Sequence, residues 1–321
     1  MELRQLGKDG PKISVLGCGT WTMGSGIWPE GWGPRNDDAS IAAVRAALDG
    51  EITWIDTAPV YGIGHSEEIV GRALGARRKD VFLASKFGLL WDEHGYTKTT
   101  GVYAKIMKEC EDSLRRLNTD YIDLYQHHWP DIDDHAPVEE TIRAQEDLVK
   151  AGKVRYIGVS NYNVPLLKQA VAAGHVTSVQ PRYNVLDRSV EAEILPFCRE
   201  HGIGVVVYSP LEHGWLAGSI TAETKLSSTD WRSRDFRFRG EGLRRNLAIV
   251  DRLRPIAARL NCTLAQLSLA WILANPTITA AILGTARKEN LDSSLPAASL
   301  KLDAATLAEI DAASAIRVLP Q

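Results

Sequence analysis

The sequence predicts an α/β protein, a (β/α)8 TIM barrel with an N-terminal β-hairpin before the first strand and a long loop after strand 7. Three observations predict it. Short β-branched runs alternate with helical patterns, eight such runs occur, and the first is not followed by the glycine-rich turn of an open, doubly wound sheet. One barrel accounts for the 321 residues, so we expect a single domain over residues 1–321.

The eight predicted strands share a near-continuous apolar character, which is typical of parallel strands that are buried on both faces. In chain order they are Ser14–Gly19, Ile52–Thr57, Val81–Lys86, Tyr121–His127, Val154–Val159, Ser178–Tyr183, Gly204–Tyr208 and Ala280–Gly284.

Helical patterns separate these strands. Ile41, Val44 and Leu48 recur at helical spacing, after two aspartates and before Gly50, which are start and stop signals. A second apolar stripe consists of Ile106, Cys110, Leu114 and Leu117.

Two further helix starts follow from capping residues. Ser66 is predicted to cap a helix whose first turn carries Glu67 and Glu68, where the helix dipole favours acids. The run from Thr263 to Gln266 fits a capping box that opens a helix through Trp271.

Two stretches lie outside a minimal barrel. Within residues 1–13, the turn signal Lys8–Pro11 lies between short apolar segments and predicts the β-hairpin. Residues 212–241 are long, polar and irregular, and they carry four arginines. A loop of this length inside a compact domain is usually functional or disordered.

The competing architecture is the open, doubly wound sheet. Its first strand should lead into a G-x-G-x-x-G turn. Here Gly17 and Gly19 are followed by Thr20, Trp21 and Thr22, and no third glycine falls in place. The barrel is therefore favoured.

Composition excludes several classes of protein. Lys plus Arg number 37 and Asp plus Glu 40, so the chain has no electrostatic footprint for nucleic acid or an anionic membrane. No apolar run approaches the ~18 residues that span a bilayer, and the first residues lack the apolar core of a secretory signal. The four scattered cysteines have no C-x-x-C pair, so we expect no metal site and reduced thiols in a cytoplasmic protein.

The chemistry is expected at the carboxyl ends of the strands, where barrel enzymes place their active sites. Polar or aromatic residues follow most of the predicted strands there. They are Asp56 at the end of strand 2 with Tyr61 five residues later, Lys86 at the end of strand 3, His127, His128 and Trp129 at the end of strand 4, Ser160 and Asn161 at the end of strand 5, Gln180 in strand 6, Tyr208 through Leu211 at the end of strand 7, and Gly284 with Thr285 at the end of strand 8.

Four of these residues combine into a mechanism. A lysine that ends a buried strand needs a partner for its charge, and Asp56 on the neighbouring strand can supply it for Lys86. A charged ammonium beside a phenol lowers the phenol pKa, which suits Tyr61 for general acid or base work. A neighbouring histidine can hydrogen-bond the substrate oxygen or relay the proton.

The motifs around these residues resemble those of the aldo-keto reductase family over essentially the full chain. The matching motifs are Gly17–Trp21, Ile55–Ala58, Val60–Gly62, Ser66–Glu68, Ser85–Lys86, Asp123–Gln126, His128–Pro130, Ile157–Asn161, Gln180, Tyr183–Asn184, Tyr208–Leu211, Thr263–Gln266 and Ala270–Trp271. The resemblance implies an NAD(P)H-dependent oxidoreductase that interconverts an aldehyde or ketone and its alcohol.

It also implies a catalytic tetrad of Asp56, Tyr61, Lys86 and His128. His127 competes for the fourth place, but adjacent strand residues point to opposite faces, so both cannot serve. The family motif places the histidine directly before an aromatic-Pro pair, and this selects His128.

The resemblance further implies an extended nicotinamide dinucleotide across the barrel mouth. By motif position, Ser160, Asn161 and Gln180 would hold the carboxamide and Tyr208 would stack on the nicotinamide ring. The remaining predicted cofactor residues are Thr20, Trp21, Asp56, Ser209, Pro210, Leu211, Gly214, Gly284, Arg287, Asn290, Ser293 and Ser294.

The loop after strand 8 departs from the family's common pattern, because serines stand at 293 and 294 and a lysine common elsewhere is missing at Gly284. Arg287 remains, and an arginine suits the 2′-phosphate of NADP by bidentate pairing. The arginines at 232–239 could also reach over the cofactor or be a solvated surface. NADP(H) is therefore expected over NAD(H), which stays open.

The predicted substrate pocket is lined by Trp21, Trp91 and Trp129. Three aromatics at one barrel mouth suit a small carbonyl compound, and tryptophan faces also pack against sugars, so a polyol or aldose stays open. The alternative function is a cofactor-binding regulatory subunit like the potassium-channel β-subunits, which typically lack a histidine at the place of His128. A barrel isomerase or hydrolase would want metal ligands or a carboxylate pair, and neither stands out.

Overall fold

Eight parallel strands close into the predicted barrel in the computed structural model, which describes residues 1–24, 36–228, 230–284 and 287–315. The chain contains the strands β1 (Leu3–Gln5), β2 (Lys12–Ser14), β3 (Leu16–Gly19), β4 (Trp54–Asp56), β5 (Phe82–Phe87), β6 (Leu89–Trp91), β7 (Thr97–Thr99), β8 (Ile122–His127), β9 (Val154–Ser160), β10 (Ser178–Gln180), β11 (Gly204–Val207) and β12 (Ala280–Gly284). The barrel runs β3-β4-β5-β8-β9-β10-β11-β12 and closes where Gly284 pairs with Gly19.

Helices follow the strands and pack on the outside of the barrel. They are α1 (Asp37–Asp49), α2 (His65–Leu74), α3 (Tyr103–Leu117), α4 (Val138–Lys150), α5 (Val164–Ala173), α6 (Ile194–His201), α7 (Gly240–Arg259), α8 (Leu264–Ala274), α9 (Lys288–Ser294) and α10 (Ala304–Ser314).

The predicted N-terminal hairpin is present and seals the amino-terminal end of the barrel. Strands β1 and β2 pair antiparallel, and Leu6 and Ile13 are buried in one apolar cluster with Trp54 and Val206. This plug leaves the carboxyl ends of the strands as the open end, where a site can form.

The predicted helix signals mostly hold. Asn36 caps α1 by accepting from the backbone of Ala39, and Thr263 and Gln266 form the predicted capping box of α8. The cap predicted at Ser66 is wrong, because α2 begins at His65 behind Gly64, whose φ of 88° only glycine adopts readily. The hydroxyl of Ser66 instead donates to Thr20, at 2.7 Å from its Oγ1.

Seven of the eight barrel strands differ from the predicted bounds by one to three residues at one or both ends. Ser14 belongs to the hairpin strand β2, and the barrel strand starts at Leu16. Strand β10 stops at Gln180 because Pro181 has no N–H to continue the ladder. The short hairpin of β6 and β7, which follows β5, is an additional element.

The long loop after β11 is irregular, as predicted, and contains three short turns at Glu212–Gly214, Trp231–Arg234 and Phe236–Phe238. Among the described residues, no single helix is long and apolar enough to cross a membrane. The helices α7 and α8 reach that length and apolar composition only when taken together across a 90° bend. Burial raises the pKa of the Cys18, Cys110 and Cys198 thiols to about 12, which leaves them unreactive.

Candidate active site

A cavity of about 1480 Å³ opens at the carboxyl end of the barrel. It exceeds the roughly 300–1,000 Å³ of most small-molecule pockets, so it has room for two ligands at once. Nearly all of the predicted site residues line it, among them Thr20, Trp21, Asp56, Tyr61, His128, Trp129, Ser160, Asn161, Gln180, Tyr208, Ser209, Pro210, Leu211, Gly214, Gly284, Arg287, Asn290, Ser293 and Ser294.

The floor of the cavity is a buried ion pair. Strands β4 and β5 are neighbours, which brings the Asp56 carboxylate within 2.5 Å of the Lys86 ammonium. The ammonium also donates to the carbonyl of Thr57 at 3.1 Å and to the Tyr61 hydroxyl at 3.2 Å. Its side chain is fully buried, so these three oxygens replace the water that it would otherwise bind.

Burial lowers the pKa of Lys86, and the negative charge of Asp56 opposes that shift. The pair therefore places a desolvated cation directly against the phenol oxygen. An ammonium in this position favours the ionised form of a phenol and aligns its proton.

Close backbone packing places Tyr61. A Cβ on Gly62 would lie 2.2 Å from the carbonyl oxygen of Gly24, and one on Gly24 would lie 2.4 Å from the Tyr61 carbonyl carbon. Because Cβ atoms cannot approach so closely, both positions require glycine. The turn that carries Tyr61 is thus pressed against the end of the segment that follows β3.

His128 and His127 point in opposite directions, as the alternation of a strand requires. The His128 ring lies edge-on to the Tyr61 ring, with centroids 5.7 Å apart, and lines the cavity. Burial, together with the charge of Lys86, holds the pKa of His128 well below its usual range. His128 is therefore a neutral hydrogen-bonding group at neutral pH.

His127 lies in the wall behind the site. Its ring is fully buried, contacts the Tyr162 hydroxyl at 2.8 Å and the Thr100 carbonyl at 3.0 Å, and stacks on Phe87. Burial lowers its pKa to about 4.

The residues predicted to hold a carboxamide form a connected wall. The Asn161 amide donates to the His128 carbonyl at 2.9 Å and to the Ser160 hydroxyl at 3.1 Å, and its oxygen accepts from Tyr208 at 2.8 Å. Ser160 donates to the backbone carbonyl of Gln180 at 2.7 Å. The Tyr208 ring is therefore fixed at the cavity wall by its hydroxyl.

The loop after β11 is held by a buried carboxylate. Glu212 accepts from Asn184 at 2.7 Å, from Arg237 at 2.7 Å and from Arg182. The backbone around it is unusual, because Ser209, Glu212 and His213 all have φ near 50°. A non-glycine residue adopts this region only where its surroundings enforce it.

Internal partners hold the arginines of the same loop. Arg232 lines the cavity, but its guanidinium donates to Asp230 at 2.7 Å and to the His213 carbonyl at 3.1 Å. Arg237 pairs with Asp235 as well as Glu212. Arg234 and Arg239 are exposed. Of these four arginines, Arg232 is the one that lines the cavity, so the expectation that the group reaches over a ligand now concerns Arg232 alone.

At the opposite side, α9 and the residue before it bring four predicted residues to the cavity. Arg287 precedes this helix and is exposed, and both Ser293 and Ser294 donate to the Asn290 carbonyl. Thr285 lies outside the described residues.

The three tryptophans predicted for a substrate pocket separate in the structure. Trp21 and Trp129 line the cavity, and Trp91 does not. Trp91 packs against a small apolar cluster of Ala58 and Val60, which Trp21 also contacts from the cavity side.

Three cavity or near-cavity residues were missed by sequence reasoning. Gln126 lies in β8 two residues before His128, and that spacing was a usable signal because alternate residues of a strand share a face. His213 and Trp231 pack with Trp21, at centroid distances of 5.4 and 6.0 Å. No local pattern marks them, because Trp231 arrives from the long loop. Burial lowers the pKa of His213 to about 3.

The model of the aldo/keto reductase family matches residues 15–315. The chain belongs to this family. Membership places this aldo/keto reductase among the NAD(P)-dependent oxidoreductases and agrees with the resemblance found in its motifs.

Relatives of known sequence and structure agree. The aldo-keto reductase YhdN of Bacillus subtilis is 37% identical over 296 residues, 91% of this chain and 87% of that protein. The glycerol dehydrogenase of Gluconobacter oxydans superposes with a TM-score of 0.89 at 33% identity, covering 99% of this chain and 98% of that one. An aldo/keto reductase from Klebsiella pneumoniae, solved with NADP and acetate, gives a TM-score of 0.75 at 30% identity and covers 100% and 98%.

Proposed function

We propose that this aldo/keto reductase interconverts an aldehyde or ketone and its alcohol with NADP(H). The observation that carries the proposal is the contact between the Lys86 ammonium, held by Asp56, and the hydroxyl of Tyr61 at the cavity floor. A phenol so placed is a general acid for a carbonyl oxygen and a general base for an alcohol.

The residues present fit a nicotinamide dinucleotide. The cavity has room for it beside a substrate, and the fixed Tyr208 ring offers a stacking face. Within the part of the chain that the structure describes, no atom other than those of its chain neighbours lies within 4 Å of where a Cβ on Gly284 would stand. Ser160, Asn161 and Gln180 would hold the carboxamide, and the loop from Ser209 to Gly214 would line the pyrophosphate. When bound, the reduced cofactor supplies the hydride.

The chain's own side chains would transfer the proton and orient the substrate. Tyr61 donates its proton to the carbonyl oxygen in reduction and takes it back in oxidation. The neutral His128 ring donates a hydrogen bond to that same oxygen. Lys86 stabilises the phenolate that remains, and its charge is balanced by Asp56. Trp21 and Trp129 border the substrate volume.

NADP(H) is proposed over NAD(H), and the Klebsiella pneumoniae relative solved with NADP supports it. The likeness to a glycerol dehydrogenase brings small polyols and their carbonyl products into the proposed substrate range. The presence of His128 at the cavity favours an enzyme over a cofactor-binding regulatory subunit.

The test is a panel of aldehydes, ketones, aldoses and polyols, glycerol and glyceraldehyde among them, followed by absorbance of the reduced cofactor. We expect turnover of at least one carbonyl compound, and a fall in kcat of at least about 10²-fold in Tyr61→Phe with cofactor affinity retained. Turnover by Tyr61→Phe at the wild-type rate would remove Tyr61 from the mechanism.

A further inference from the structure

The second oxygen of Asp56 is held by two glutamine amides. Oδ1 faces Lys86, while Oδ2 accepts from Gln180 Nε2 at 2.8 Å and from Gln126 Nε2 at 3.3 Å. The two amides also contact each other, with Gln180 Nε2 donating to Gln126 Oε1 at 3.2 Å. Gln126 is fully buried, whereas Gln180 reaches the cavity.

Donor and acceptor chemistry fixes the direction of both amides. A carboxylate only accepts, so each glutamine must turn its nitrogen toward Asp56. Both hydrogens of Gln180 Nε2 are then used, one by Asp56 and one by Gln126. Gln180 Oε1 is left for the cavity, and none of the described residues donates to it. The wall therefore presents a hydrogen-bond acceptor there.

We propose that Gln126 is a positioning residue that locks the Gln180 amide with its oxygen toward the cavity. This part of the cavity wall then binds preferentially a ligand that offers an N–H donor. The Gln126 N–H also helps to hold the Asp56 carboxylate, which is the ion-pair partner of Lys86. The inference rests on the proposed function, since the ligand N–H is that of the cofactor carboxamide. A methyl ketone at the same place has no N–H to give.

A bound dinucleotide would close Gln180 Oε1 off from water, and the size of the expected difference in affinity follows from this. Leaving such an acceptor without a donor costs enough to weaken binding by about 5- to 150-fold. We therefore expect the wild-type enzyme to bind NADP⁺ at least about fivefold tighter than its 3-acetylpyridine analogue, in which a methyl group replaces the amide nitrogen. Equilibrium quenching of tryptophan fluorescence measures both affinities without turnover.

Two variants separate the two tasks of Gln126. Gln126→Leu removes both hydrogen bonds, so we expect the ratio of the two affinities to fall at least threefold. Gln126→Glu keeps an acceptor for Gln180 but puts a second carboxylate beside Asp56. We expect it to keep the ratio within twofold and to shift the basic limb of the kcat–pH profile to higher pH, because the added charge favours the protonated groups.

Gln145→Leu is the matched control. Gln145 is equally buried and donates to the carbonyls of Tyr125 and Gly158, so it reports the cost of losing a buried glutamine alone. It should change neither the ratio nor the pH profile.

Several outcomes would overturn the inference. Equal affinity of the wild type for both dinucleotides would do so whether or not the variants fold. An unchanged ratio in Gln126→Leu, or an equal fall in Gln145→Leu, would do so as well. Failure of the wild type to bind any nicotinamide dinucleotide would instead refute the proposed function itself.

Discussion

At the scale of single residues, two adjacent histidines have different surroundings because a strand alternates its faces. His128 enters the cavity beside Tyr61, whereas His127 is enclosed by Tyr162, Thr100 and Phe87. Two identical side chains thus differ in role: His128 belongs to the candidate active site, and His127 to the packed wall behind it. This division makes a direct prediction for each of them.

We expect His128→Ala to lower kcat/KM by about 10²-fold or more at nearly unchanged stability, since it removes the group that we propose hydrogen-bonds the reacting oxygen. We expect His127→Ala to lower the free energy of unfolding by about 2–5 kcal/mol, because it leaves a cavity and two buried polar groups without a partner. Kinetics and urea unfolding of both variants measure this. A reversal of the two effects would mean that the roles of the histidines are exchanged.

Arg287 is the residue proposed to read the 2′-phosphate. A charge-assisted pair at this place is worth about 10- to 150-fold in affinity. We expect Arg287→Ala to weaken NADPH within that range, to leave NADH nearly unchanged, and to lose its effect as salt is added, because the site is exposed. Fluorescence titration with both cofactors is the measurement. An equal loss for both would assign Arg287 to supporting the loop.

At the scale of elements, the long loop after β11 is fastened to the barrel by Glu212. This carboxylate joins Arg182, which follows β10, to Arg237 in the loop, and its side chain is 2% exposed. Removing one member of a buried ion pair leaves the others uncompensated, which typically costs about 3–5 kcal/mol. Glu212 is therefore expected to contribute strongly to the loop's attachment, beside the packing of His213 and Trp231 on Trp21.

We expect Glu212→Gln to speed tryptic cleavage within residues 222–239, because the loop detaches more often. Glu223→Gln, in an exposed part of the same loop, is the control and should leave cleavage unchanged. Cleavage rates followed by mass spectrometry measure the effect. Equal rates for wild type and Glu212→Gln would contradict the role given to this carboxylate.

At the scale of the whole molecule, buried titratable groups make stability depend on pH. Burial raises the pKa of Glu109 to about 7, although its carboxylate accepts from the backbone of Gly88. The folded state keeps this proton where the unfolded state, with a pKa of 4.5, has lost it. The contribution of Glu109 to stability is therefore full below pH 4.5 and falls as pH rises to about 7.

We expect Glu109→Gln to abolish this fall, which amounts to about 3 kcal/mol at most. His127 contributes the opposite slope, since its pKa falls from 6.5 to about 4 on folding, so the difference between variant and wild type is the quantity to measure. Urea unfolding at pH 5, 6, 7 and 8 gives it, with the exposed Glu111→Gln as control. A constant difference across this range would show that Glu109 is ionised when folded at all four values.

The sequence alone determined the architecture and the residues of the cavity floor. Eight apolar runs of strand length, separated by helical patterns, leave few alternatives to a closed parallel barrel, and the carboxyl ends of parallel strands meet at one end. Asp56, Lys86 and His128 each stand at such an end, so their meeting required no knowledge of side-chain packing.

Only the tertiary structure decided how polar and aromatic groups pair over long separations in the chain. Ser66 donates a hydrogen bond to Thr20 and does not cap its own helix. Trp91 packs against an apolar cluster, and Arg237 forms an ion pair with Glu212. Gln126 and Gln180 meet on the same oxygen of Asp56 from separate strands. Local periodicity reports which face of a strand or helix is buried, whereas each of these partners is chosen by distance and hydrogen-bond chemistry across the closed barrel.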